Sequence, residues 1–196
     1  MTRVTWSWAK VLDWVADPRE RLDYTYQRQV ALLTNLQRGA AGADAGRLGV
    51  ARARLEVRVE VSRLRLETRE TADEADNALG RLDDVWSRLS ARTGEPGTRR
   101  QLLTQFRSGI ADLDACRGRL DRQLGTLRRL EAELEGQASQ ALEGGREDLA
   151  SEAVARQAGI GRLLSDLAAQ RDSWQAEADR FTAIYDGADP GGAAGE

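Results

Sequence analysis

The chain has 196 residues, a net charge of −3, 31% charged residues and only 5% aromatic ones. Scarce aromatic bulk and an excess of Leu, Ala, Arg and Glu exclude a thick globular core and point to long helices or coiled coil. The acidic balance argues against nucleic acid as a partner. Histidine is absent and Cys116 is the sole cysteine, which excludes a Cys/His metal cluster, a Ser–His or Cys–His catalytic pair and an intrachain disulfide. The expectation is a protein that is not an enzyme and carries no cofactor.

The first seventeen residues, MTRVTWSWAKVLDWVAD, hold three of the five tryptophans. On a helical wheel Val4, Trp8, Val11, Leu12, Trp14 and Val15 form one apolar face, with Trp6, Arg3, Lys10 and Asp13 at its margin or outside it. Trp at the boundary and basic residues beside it suit the bilayer interface. The same face also suits packing on the coiled coil or on a second protomer. With Asp13 inside it and no long apolar run, the segment does not read as a secretory signal. No stretch approaches the roughly 20 apolar residues that span a bilayer.

Asp17, Pro18 and Glu20 are helix-start residues: an N-cap, a proline suited to the first helical position and a capping acid. From Leu22, steps of four and three give Tyr26, Gln29, Leu33, Leu36, Ala40, Ala43, Arg47, Val50, Arg54, Val57, Val61, Leu64, Thr68, Thr71, Ala75, Ala78, Leu82, Val85 and Leu89 without a phase break. That 3.5-residue period is the coiled-coil signature. Gly39, Gly42, Gly46 and Gly49 weaken it, each by about 0.5–1 kcal/mol against Ala. The preserved phase predicts one helix over 18–91, and the alternative for residues 38–49 is a loop. An internal repeat points the same way: LLTNLQRGAAGADAGR at 32–47 aligns with LLTQFRSGIADLDACR at 102–117, eight of sixteen positions being identical.

Breakers at Thr93-Gly94-Glu95-Pro96-Gly97 and at Gly144-Gly145 delimit two more helices, over 99–142 and 146–186. The seam of the first is Leu103, Phe106, Ile110, Leu113, Arg117, Leu120, Leu124, Leu127, Glu131, Leu134, Ala138 and Ala141. That of the second is Leu149, Ala153, Arg156, Ile160, Leu163, Leu167, Gln170, Trp174, Glu177, Phe181 and Ile184. Short connections favour antiparallel neighbours. The expected fold is all-α: an elongated antiparallel coiled-coil hairpin or three-helix bundle with an N-terminal amphipathic helix. The expected division is residues 1–16 as the amphipathic helix, 17–186 as the rod and 187–196 as a disordered tail. The acidic run Glu70, Asp73, Glu74 and Asp76 reads as a solvated helix face, and Trp86 and Trp174 read as core or interface.

Two stretches resemble the phage shock protein A family of the wider ESCRT-III superfamily. Ala16-Asp17-Pro18-Arg19-Glu20-Arg21-Leu22-Asp23-Tyr24 is similar to the family's junction between its amphipathic helix and first long helix. Ala141-Leu142-Glu143-Gly144-Gly145-Arg146-Glu147-Asp148-Leu149-Ala150 is similar to the motif at its hairpin tip. The resemblance implies a peripheral scaffold on the inner face of the cytoplasmic membrane, a homo-oligomer that binds an anionic lipid bilayer in envelope-stress protection. It assigns membrane contact to the N-terminal residues named above, and the hairpin tip to Gly144, Gly145, Arg146, Glu147, Asp148 and Leu149. Some members restrain a transcriptional activator; nothing in these residues identifies such a protein regulator. The two motifs stand about 130 residues apart, farther than in the family. An inserted hairpin arm, signalled by the repeat, would explain that distance. The chain also runs out soon after Ile184, short of the family's further C-terminal helices. The competing expectation is a cytosolic coiled-coil adaptor whose Trp-rich end docks a protein.

Overall fold

A computed structural model of the protein describes residues 18–39, 45–91 and 96–188, with side chains described at 21–35, 52–91 and 97–188. These residues form four helices and no strand: α1 (Pro18–Gly39), α2 (Ala45–Ser90), α3 (Pro96–Glu143) and α4 (Glu147–Ala188). The chain divides into two compact units, Met1–Glu70 and Thr71–Glu196, and α2 contributes to both.

In the first unit, α1 starts at Pro18, where a fixed φ and a missing N–H cost a helix nothing. Thr25 and Thr34 turn their hydroxyls back onto the carbonyls of Arg21 and Val30, at 2.7 and 2.9 Å. The decisive contact is tertiary. Ser62 Oγ on α2 donates to Gln29 Oε1 on α1 at 2.9 Å. In one continuous helix those residues, 33 apart, would be separated by about 50 Å. The single helix expected over 18–91 is therefore two helices, and α1 folds back antiparallel on α2.

The repeat shows why phase alone misled. Its second copy lies wholly within α3, where Phe106, Leu113 and Cys116 are buried and Ile110 is half-buried. In the first copy the matching residues are Leu36, Ala40, Ala43 and Gly46. Three glycines at about 0.5–1 kcal/mol each are set there against almost no apolar bulk. The heptad phase survives, but the driving force for a buried seam does not. The repeat therefore does not mark one structural unit twice.

The second unit is an antiparallel three-helix bundle of α3, α4 and the part of α2 from Thr71 onward. Pro96 again occupies the first helical position, so α3 begins earlier than the expected 99. Along α3, Phe106, Leu113, Leu120, Leu127 and Leu134 are wholly buried. Each such side chain contributes about 1.5–3 kcal/mol on removal from water. On α2, Thr71, Ala75, Ala78, Leu82 and Val85 are buried with the expected spacing. On α4 the buried set is Ala150, Ala153, Ile160, Leu167, Trp174, Ala178 and Phe181. Trp86, expected in the core or an interface, is exposed.

Polar contacts fix the alignments. Between α2 and α3, Arg81 meets Asp112 at 2.9 Å and Arg119 pairs with Glu74. Between α3 and α4, Arg117 donates to Gln175, and Arg171 approaches Asp121 at 3.7 Å. Arg180 reaches Asp83 at 3.4 Å, so α4 also meets α2. Phe106 packs edge-on against Phe181, with centroids 5.7 Å apart, and stacks with Tyr185 at 6.3 Å. Arg99 donates to the Ala188 carbonyl at 2.7 Å, satisfying a terminal acceptor of α4.

A stripe of α3 outside the expected seam is also buried: Gly109, Cys116, Gln123 and Leu130. These residues recur every seven positions on the flank that faces α2. A Cβ at Gly109 would stand 2.8 Å from Leu82 Cδ2, and Leu82 is itself 1% exposed. Gly109→Ala should therefore destabilise the protein by about 1–3 kcal/mol through overpacking. Gly80→Ala, with nothing within 4 Å, should stabilise it by about 0.5–1 kcal/mol. Urea titrations followed by circular dichroism measure both, and equal midpoints would refute the close approach.

Candidate functional site

The hairpin tip is where the structure places a predicted constellation in one spot. Gly145 has φ of +66°, a left-handed conformation that L side chains resist. It lets the last carbonyls of α3 find donors. Arg146 N–H donates to the Ala141 carbonyl at 2.7 Å and Gly145 N–H to that of Leu142 at 3.0 Å. This pair of bonds is the Schellman closure of a helix C-terminus. The Arg146 carbonyl then accepts from Leu149 and Ala150 at 3.1 Å, so α4 starts at once. Glu147 and Asp148 occupy its first turn, where carboxylates meet the positive end of the helix dipole.

Gly144, Gly145, Arg146, Glu147 and Asp148 are exposed and Leu149 is half-buried. Arg146 lies 3.5 Å from Asp148 across open solvent. Leu142, 59% exposed, stands beside them. The tip is a tight, charged turn with one bare apolar side chain.

Other sequence candidates resolve as follows. Glu74 of the acidic run is the ion-pair partner of Arg119. No group of three His, Cys, Asp or Glu among the described residues is arranged to hold a metal ion. Cys116 is 2% exposed, and Arg119 donates to its sulfur at 3.2 Å. Burial pushes the thiol pKa above its ordinary range, against the opposing pull of Arg119. An open cleft of about 470 Å³ lies between the end of α2 and the start of α3, lined by Ser87, Arg88, Thr98, Leu102 and Gln105 among others. Sequence periodicity gave no sign of it, because these residues lie off the seam.

The residues expected to touch a membrane, Arg3, Val4, Trp6, Trp8, Lys10, Val11, Leu12, Trp14 and Val15, lie outside the described residues, as does most of the tail expected over 187–196, of which Gly187 and Ala188 belong to α4. Among the described residues no helix is long and apolar enough to cross a membrane. No family model, curated protein or solved structure matches the chain.

Two measurements probe these features. Gly145→Ala should cost about 1–2 kcal/mol, since the left-handed turn then carries a Cβ; an unchanged urea midpoint would contradict the turn geometry. Cys116 should react with a thiol reagent only as the protein unfolds. The folded-state thiol pKa is raised, so the unfolded chain ionises first as pH rises. The protein should therefore lose stability above the ordinary thiol range, near pH 8.5. Cys116→Ser should remove that part of the alkaline loss.

Proposed function

We propose that the protein is a peripheral membrane-associated helical scaffold, resembling phage shock protein A. It works on the inner face of the cytoplasmic membrane, in envelope-stress protection and membrane maintenance. The observation that carries this reading is the N-terminal face of Val4, Trp8, Val11, Leu12, Trp14 and Val15 with Arg3 and Lys10 beside it. This segment directly precedes a helix that begins at Pro18. The tight turn at Gly144-Gly145 supports the same resemblance.

The energetics set the mode of action. Arg3 and Lys10 each contribute about 1 kcal/mol near an anionic surface, partly offset by Asp13 and Asp17. One short interfacial helix is a reversible anchor. A homo-oligomer presenting many copies raises the effective concentration and makes attachment stable. The partners in this reading are an anionic bilayer and further copies of the chain.

Cosedimentation with vesicles containing phosphatidylglycerol tests the proposal. The full chain should pellet with vesicles, and Trp8→Glu should remain in solution. Arg3→Gln with Lys10→Gln should weaken binding by roughly tenfold or more, since about 1.4 kcal/mol is tenfold. The proposal fails if full chain and Trp8→Glu behave alike. The alternative, a cytosolic adaptor whose Trp-rich end docks a protein, predicts that neither pellets.

A further inference from the structure

Beyond the proposed membrane role, the α2–α3 seam raises a question of alignment. A heptad seam buries similar apolar surface after a slide of seven residues, so hydrophobic packing alone does not choose one register. Three contacts in the second unit do distinguish registers, and all three fall between Thr71 and Leu82 on α2.

The first is polar. Gln123 is 8% exposed, and its Nε2 lies 3.4 Å from Thr71 Oγ1, while its Oε1 has no hydrogen-bond partner among the described residues. Apolar packing would be the more stable choice here, because a buried amide with an unmet acceptor costs stability. The second is steric: Leu82 fits against α3 where Gly109 offers no Cβ. The third is electrostatic, the alternating pairs Arg81–Asp112 and Glu74–Arg119.

Each one-heptad slide breaks all three. Shifted one way, Arg81 faces Arg119, Leu82 faces Cys116 and Gln123 faces Ala78. Shifted the other way, Glu74 faces Asp112 and Leu82 faces Leu102, and Gln123 leaves Thr71. Both slides exchange an attractive pair for like charges and a fitted leucine for a crowded one.

We propose that Gln123–Thr71, Gly109–Leu82 and the two crossed ion pairs form a register lock that holds α2 in one alignment on α3. The half-satisfied amide is retained because it penalises the alternatives, as single polar residues do in coiled-coil cores.

Nitroxide labels at Arg88→Cys and Gln105→Cys, both exposed and lining the cleft, report the register by pulsed electron resonance in a Cys116→Ser chain. The lock predicts a single distance. The double variant Asp112→Arg, Gln123→Leu sets a new guanidinium against Arg81 and places Glu74 one heptad away as its partner. In that variant α3 should slide one heptad, displacing the labels by about 10 Å along the axis. Adding Arg81→Asp should restore the first distance. An unchanged distance in a cooperatively folded double variant overturns the proposal. Should the double variant not fold, Gln123→Leu alone decides. A higher melting temperature with a second distance supports the lock, and a lower one with a single distance overturns it.

Discussion

Phe106, Leu113, Leu120, Leu127 and Leu134 place one wholly buried side chain on α3 in every heptad. The second unit is organised around that line. A helix with one apolar stripe buries it against one partner, whereas α3 has partners on both flanks. Toward α4 the contacts run through Arg117, Asp121 and Phe106. Toward α2 they run through Gly109, Asp112, Arg119 and Gln123. The neighbours answer leucine with alanine. Ala75 and Ala78 on α2 and Ala150, Ala153 and Ala178 on α4 are all buried. Larger residues are buried on those helices too, among them Leu82 on α2 and Ile160, Leu167, Trp174 and Phe181 on α4, so large and small side chains alternate across the interfaces.

Most of this arrangement was readable from spacing. α3 and α4 begin and end within a few residues of the positions that Pro96, Gly144 and Gly145 suggest. The seam Thr71, Ala75, Ala78, Leu82 and Val85 is the one that the heptad count gives. Two features escaped. Periodicity registers where apolar residues recur and is blind to how much surface each one removes from water. The run from Gly39 to Gly49 therefore keeps its phase while offering little apolar bulk for a buried seam. The flank of α3 toward α2 escaped for the converse reason: Gly109, Cys116 and Gln123 are buried without an apolar pattern to announce them.

The candidate site divides along similar lines. Two adjacent glycines mark a turn in any sequence, but of the two only Gly145 carries the positive φ, and Leu142 is exposed one position past the seam residue Ala141. The N-terminal segment shows an amphipathic pattern in its sequence, with Trp on or beside the apolar face and Arg3 and Lys10 at its margin. Lipid and protein can both meet such a face, and the family resemblance is what favours lipid.

Tryptophan placement has an optical consequence. Trp174 is 5% exposed within the bundle, Trp86 is 36% exposed on α2, and the other three lie at positions 6, 8 and 14. Ultraviolet emission from the intact chain thus mixes a shielded indole, a hydrated one and three near the N-terminus. Replacing Trp86 with Phe, where it lies partly bare to solvent, would strip most of the red-shifted background of the bundle. The remaining light would then come from the N-terminal trio and from Trp174, the latter a built-in reference for an intact fold.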